Sequence, residues 1–185
     1  RNIGDMNIQY WYPTERMPDG DESRRNDKIG ITHTHNFYKT RNLYVLASIW
    51  EKALHSSINK VYIIFLFEQV ILGMSKLARY APTHYSQVNR YLSGTLYIGS
   101  QIVEVSPRYI LGNKIRTLVK AISINAAGIG QVLVSTNSNT NLNLPNNTLD
   151  YIFTDPPFGS NLMYSELNFL WEAWHKVFTN NKSEA

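Results

Sequence analysis

Apolar residues recur at helical spacing from residue 41 onward. Leu43, Leu46, Ala47, Trp50, Ala53 and Leu54 fall on one stripe, which predicts an amphipathic helix over roughly 40–56. Ser57 and Asn59 can cap a second helix through Val61, Ile64, Phe65, Glu68, Ile71, Leu72 and Leu77, ending before Pro82. That helix is apolar nearly all round, so burial is expected. After Gly94 the period changes to two. Strands are predicted at 95–98 and 101–105, with Gly99 and Ser100 permitting a bend or bulge. Pro107 then opens a helix from Arg108 to about Ile124, because proline in a first turn sacrifices no hydrogen bond. Gly128 and Gly130 end it. A short β-branched strand follows at 131–135, then an Asn-rich polar loop at 137–148, a strand at 149–154, and a final helix carrying Leu167, Leu170, Trp171, Trp174 and Val177.

The first thirty residues differ. Pro13, Pro18, Gly4, Gly20 and Gly30 surround the mixed-charge run Asp19–Lys28, and apolar periodicity is weak, so a loop-rich segment is expected over 1–38 with a core unit over 39–185. Strand, helix, strand, loop, strand, helix is the alternation of an α/β fold with a parallel sheet, whose ligands bind at the carboxyl ends of strands. No internal repeat is visible.

Composition narrows the class. A chain of 185 residues, 43% hydrophobic, can bury about two thirds of its unfolded surface without disulfides or a structural metal. The absence of cysteine excludes zinc ribbons and thiol nucleophiles. The longest apolar run, Val61 to Phe67, is far short of the roughly 20 residues of a membrane span, and no signal pattern opens the chain, so a cytoplasmic location is expected. Beginning at Arg1 suggests a piece of something larger.

Charge is unevenly spread. Residues 1–38 carry five Lys/Arg against six Asp/Glu, residues 39–120 eleven against three, and residues 121–185 two against five. The basic middle, interleaved with Tyr44, Tyr62, Tyr80, Tyr85, Tyr91, Tyr97 and Tyr109, fits a phosphate-facing surface and equally a solvated helical face.

Thr154-Asp155-Pro156-Pro157-Phe158-Gly159 follows the apolar run at 149–153 and precedes the last helix. Asp155 supplies a carboxylate acceptor. Pro156 and Pro157 fix two successive φ angles and aim the Pro156 carbonyl, and neither can donate. Phe158 adds a flat apolar face. Two acceptors beside an aromatic plate suit an exocyclic amine on a planar base. An ordinary Asp-Pro turn fits the same residues.

The run 142–159, reading Leu-Asn-Leu-Pro-Asn-Asn-Thr-Leu-Asp-Tyr-Ile-Phe-Thr-Asp-Pro-Pro-Phe-Gly, resembles the catalytic segment of the amino-group DNA methyltransferases. Its continuation, Ser160 to Asn168, looks like a bacterial subgroup of that family. So do Arg24-Arg25-Asn26-Asp27-Lys28-Ile29-Gly30-Ile31-Thr32-His33-Thr34-His35, Phe37-Tyr38 and Arg41-Asn42-Leu43. The middle of the chain carries little of the likeness.

The resemblance implies a partial Rossmann-like methyltransferase fold with added N-terminal helices, restriction-modification chemistry, and methyl transfer from S-adenosylmethionine to a flipped base in DNA, adenine favoured by the leading aspartate. It implies that Asp155 and the Pro156 carbonyl hold the amine, with Pro157 stiffening the turn and Phe158 stacking on the base. Such catalysis is positioning plus electrostatics. Carried over more loosely, Glu104 would accept the cofactor's ribose hydroxyls, and Asn137 would lie near its adenine. Expected partners are DNA, a restriction subunit or the remainder of the same polypeptide.

Two departures stand out. Ser135, Thr136 and Asn137 lack the Gly-Asp that the family often has there, and no glycine-rich cofactor turn is present, since Gly128-Ile129-Gly130 precedes a strand rather than following one. Methylation of guanine in RNA and non-catalytic nucleic-acid binding therefore stay open.

Other residues carry two readings each. Arg24, Arg25 and Lys28 suit phosphate contacts or cofactor-pocket shaping; Asp19, Asp21, Glu22 and Asp27 could instead neutralise them. His33 and His35 alternate, but no third ligand is suitably spaced, so no metal is expected. Trp171 and Trp174 read as core, whereas Glu166 and Asn168 read as surface residues that could edge the site.

Overall fold

The structure, a computed structural model, describes residues 7–125, 132–134, 142, 144–155 and 162–180. Among them are five α-helices: α1 (Asp21–Arg24), α2 (Thr40–His55), α3 (Lys60–Glu68), α4 (Pro107–Asn125) and α5 (Tyr164–His175). Two 3₁₀ turns, Asp27–Ile29 and Thr34–Phe37, link α1 to α2.

The expected α/β, Rossmann-like sheet is not there. Extended pairing among the described residues amounts to three isolated antiparallel bridges, Arg16 with His33, Tyr38 with Ser75, and Arg79 with Ile102. The segments 95–98 and 101–105, expected as strands, contribute only the last of these, with Val103 N–H donating to Ala78 O at 2.7 Å and Tyr80 N–H to Gln101 O at 3.0 Å. Residues 132–134 and 149–154 are not strands either: Val132, Leu133, Val134, Tyr151 and Phe153 are each at least 80% exposed. An isolated apolar run has no neighbour to take its backbone N–H and C=O groups, and pairing is what makes a strand. Periodicity alone does not supply that neighbour.

The helices follow the pattern more closely. α2 buries Leu43, Leu46, Ala47, Trp50 and Ala53 of its predicted stripe and leaves Leu54 exposed. Asn42 on the same face is also buried, its Nδ2 donating to Met74 O at 2.9 Å and Val105 O at 3.4 Å, which ties three stretches together. α3 departs from expectation twice. It ends at Glu68, and only Phe67 is buried, with Val61, Tyr62 and Phe65 exposed. Beyond Glu68 tertiary pairing overrides helix propensity. Lys76 N–H donates to Phe37 O at 2.6 Å, Ser75 bridges to Tyr38, and Val70, Ile71, Met74, Leu77 and Ala78 turn into the core. Gly73 lets α4 approach closely there: a Cβ would stand 2.6 Å from Ile110 Cδ1, so that buried side chain would have to shift.

One core holds residues from both stretches separated in the sequence. Met17, Ile31 and Phe37 join Leu46, Trp50, Phe67, Ile71, Ile110 and Leu170. Trp174 of α5 is its hub, fully buried, with ring centroids 4.9 Å from Phe67, 6.0 Å from Trp50 and 5.9 Å from Trp11. Trp171 Nε1 donates to Glu68 O at 3.3 Å and His175 Nε2 lies 2.9 Å from Glu68 Oε1, so the end of α3 is fastened along α5. No helix among the described residues is long and apolar enough to cross a membrane.

Replacing Trp174 by Ala removes three edge or tilted aromatic contacts and leaves a cavity. A loss of about 3–5 kcal/mol is expected, read as a lower urea midpoint with an unchanged slope. A loss below about 1 kcal/mol would deny Trp174 its central place.

Candidate functional site

The run from Arg24 to Asp27 is built into the fold. Gly20 begins α1, and Arg24 turns its guanidinium back on the preceding loop, with Nη2 donating to Met17 O at 2.7 Å and Pro18 O at 2.8 Å. Its Nη1 donates to Asp27 Oδ2 at 2.8 Å, and that oxygen also meets Arg16 at 3.2 Å. Arg25 pairs with Glu22 at 2.7 Å. Glu22 Oε2 in turn accepts from Thr95 Oγ1 at 2.6 Å and Leu96 N–H at 2.7 Å. Asn26 is buried and donates to Leu96 O at 2.8 Å.

These bonds make a clasp joining residues 16–19, 21–27 and 95–96. A guanidinium bound to two carbonyls and a carboxylate has little left for a phosphate, so Arg24 is a structural residue. Arg25 is half-committed to Glu22 and Thr95. Lys28 is exposed and has no ion-pair partner among the described residues.

α5 closes the clasp from the other end of the chain. Glu166, expected at the surface, is buried, and the Ser23 backbone N–H donates to its Oε2 at 2.7 Å. A Cβ on Gly20 would collide with that carboxylate. Glycine at position 20 is thus the room Glu166 occupies. Helical periodicity gave no sign of this, because an acidic residue between Ser165 and Leu167 reads as solvated. The available signal was a glycine between two aspartates just ahead of one resembling stretch and an acid in the first turn of the helix that ends the other. Leu162 also reaches the clasp: a Cβ on Gly94, which is left-handed at φ 71°, would stand 3.2 Å from Leu162 Cδ2.

The predicted chemical residues are distributed around this arrangement. Asp155 is exposed at the end of the extended stretch 149–155. Pro156, Pro157, Phe158 and Asn137 lie outside the described residues. Glu104 is exposed, and its Oε1 meets Arg41 Nη2 at 2.9 Å. Asn168 is exposed as expected. The structure therefore joins the segment that follows the Asp-Pro-Pro-Phe motif to the N-terminal clasp, and leaves the preceding residues 149–155 exposed.

His33 and His35 form a packed pair with ring centroids 5.7 Å apart, Tyr12 lying 6.0 Å from His35. Asn36 Oδ1 accepts the His33 N–H at 3.0 Å and the Thr32 N–H at 3.2 Å, shaping the turn. No cluster of three or more His, Cys, Asp or Glu that could hold a metal occurs among the described residues. Burial, His33 and Lys76 hold His35 below the ordinary histidine value of 6.5, Glu15 opposing them.

No family model, curated protein or solved structure matches this chain.

Two outcomes follow. Glu166→Ala strands the Ser23 N–H, with an expected loss of about 1–3 kcal/mol; hydrogen exchange at Ser23 should accelerate along with it, and an unchanged rate would dismiss the bond. His35 holds its proton less tightly in the fold than in the unfolded chain, so the unfolded chain takes up that proton first as pH falls below 6.5, and stability drops there. Thermal melts at pH 7.5 and 5.5 should show a smaller acid-induced decrease for His35→Gln than for the parent. Equal decreases would contradict the assignment.

Proposed function

We propose that this chain carries the base-holding portion of an S-adenosylmethionine-dependent amino-group DNA methyltransferase. The observation that carries the reading is the placement of the two resembling stretches. Four residues past Phe158, Leu162 approaches Gly94, and α5 behind it meets Gly20 and Ser23 through Glu166, beside the resembling run Arg24–His35, and packs on the turn Thr34–Phe37 that this run enters. Residues far apart in sequence that share a family likeness thus share one locality.

In this reading the Asp155 carboxylate accepts from the exocyclic amine of a flipped base, adenine by preference. The Pro156 carbonyl takes its other hydrogen and Phe158 covers the ring. Holding an amine by two acceptors orients its lone pair and favours the charge that develops on nitrogen as it is alkylated.

The residues present do not fit the methyl donor itself. The sequence has no glycine-rich cofactor turn of the family's kind, and Glu104 Oε1 is shared with Arg41. The reading accordingly assigns this stretch the base and not the donor.

Tritiated methyl transfer to unmethylated DNA by the full natural polypeptide that carries this sequence tests it. Asp155→Ala should lower transfer by about 10²–10³-fold, the usual consequence of losing one preorganised polar group at the reacting atom. Undiminished transfer would remove Asp155 from the chemistry. Transfer to tRNA with none to DNA would move the activity to RNA, and transfer to neither would overturn the reading.

A further inference from the structure

A cleft lies between α4 and the loop before it, within the basic middle of the chain, and Lys114 is the cation that lines it. The cleft encloses about 300 Å³ and is lined by Ser86, Asn89, Tyr109, Asn113, Lys114 and Thr117, with buried Ile110 as its floor. Its polar lining consists of amides, hydroxyls and one ammonium, and no carboxylate lines it.

The loop wall is held in an unusual backbone. Gln87 and Asn89 are both left-handed, at φ 55° and 56°. Gln87 is fixed there by its own side chain, Oε1 accepting from Ala81 N–H at 2.9 Å and Nε2 donating to Ala81 O at 2.7 Å. Left-handed conformation in non-glycine residues persists only where the surroundings enforce it. Here it presents Ser86 and Asn89 to α4.

The helix wall extends the site. Tyr109, Asn113, Thr117 and Lys120 follow at spacings of four, four and three, one line along α4, and all four are exposed. Arg116 flanks that line, its Nη1 donating to Asn113 Oδ1 at 3.3 Å. Lys114, Arg116 and Lys120 have no ion-pair partner among the described residues, and from residue 105 to residue 149 the sequence contains no acidic residue. Long unneutralised cations beside hydroxyls and amides are the donor set of nucleic-acid backbone contacts.

We infer that the cleft between residues 86–89 and α4, continued by Arg116 and Lys120, is a docking site for the phosphodiester backbone of double-stranded DNA. Naming DNA as the polyanion rests on the methyltransferase reading; the site itself rests on the cleft and its charge. Lys114 and the neutral donors take one phosphate in the cleft. Lys120 and Arg116 take phosphates further along the strand. The contacts are to backbone, so they position DNA without reading its sequence.

The test is fluorescence anisotropy of a labelled unmethylated duplex with the whole chain over a range of KCl concentrations. The double variant Lys114→Gln, Lys120→Gln should bind roughly tenfold more weakly, with the slope of log K against log salt reduced by about 2, near 0.9 for each lost phosphate contact. Lys60→Gln on α3, an exposed lysine away from the cleft, serves as the control, and circular dichroism checks that each variant is folded. A double variant no weaker than the control, or a parent that binds no duplex, overturns the site. Tighter binding of an equally long RNA duplex through the same lysines overturns the assignment to DNA. Lysine-dependent DNA binding without methyl transfer would leave this site standing and remove the methyltransferase reading, whereas methyl transfer with an unaltered salt slope would do the reverse.

Discussion

A single buried carboxylate determines how the two ends of this chain meet. Glu166 accepts the Ser23 N–H from 143 residues away and fills the space that a side chain on Gly20 would need. Burying a carboxylate is costly unless its partners are fixed in place. The requirement propagates. Ser23 is placed by α1, α1 by the Arg24 bonds to Met17 and Pro18, and the next turn by Asn26 and Glu22 on Leu96. Trp174, two helical turns beyond Glu166, then docks among Trp11, Trp50 and Phe67. Polar specificity and apolar burial therefore act on the same helix at two places along its length.

That arrangement also sorts the charges. Asp19, Glu22 and Asp27 are spent on Arg16, Arg24 and Arg25 within a short stretch. Glu104, the lone acidic residue between Glu68 and Asp150, pairs with Arg41. Few acids are left to oppose the cations of α4. A positive field on one helix thus arises from where the carboxylates are committed elsewhere, more than from a high count of lysines.

Legibility in the sequence followed the range of the interaction responsible. α2 and α4 are long, periodic and set by local signals such as Pro107, and their limits lie within a residue or two of expectation. α3 ends before the periodic pattern does because, within a run of locally bonded turns, Ser75 and Lys76 pair with Tyr38 and Phe37 and Ala78 O takes the Val103 N–H, contacts no local pattern encodes. The strands failed for the same reason: 132–134 and 149–154 are apolar enough to be strands but have no described partner to pair with. Arg24 was legible as a charged residue of consequence, and the choice between phosphate and self-neutralisation turned on two carbonyls that only the fold brings near. Glu166 was read as solvated because its partner lies at the far end of the chain. The aromatic core residue Trp174 was legible, since bulk and helical spacing suffice to bury it.

The asymmetry of support around Asp155 bears on how such a loop could act. A base-holding loop needs its acceptors fixed to within a fraction of an ångström, and that precision comes from what the flanks are attached to. The exit is attached: Leu162 lies against Gly94, Glu166 is bonded to Ser23, and Trp174 is locked in the core. The entry is not: residues 149–155 run exposed, with Tyr151, Ile152 and Phe153 facing solvent. An exposed apolar triplet leading into a polar acceptor costs solvation free energy. Covering that triplet would therefore be favourable in itself and would steady Asp155 at the same time, coupling whatever covers 151–153 to the order of the acceptor that follows.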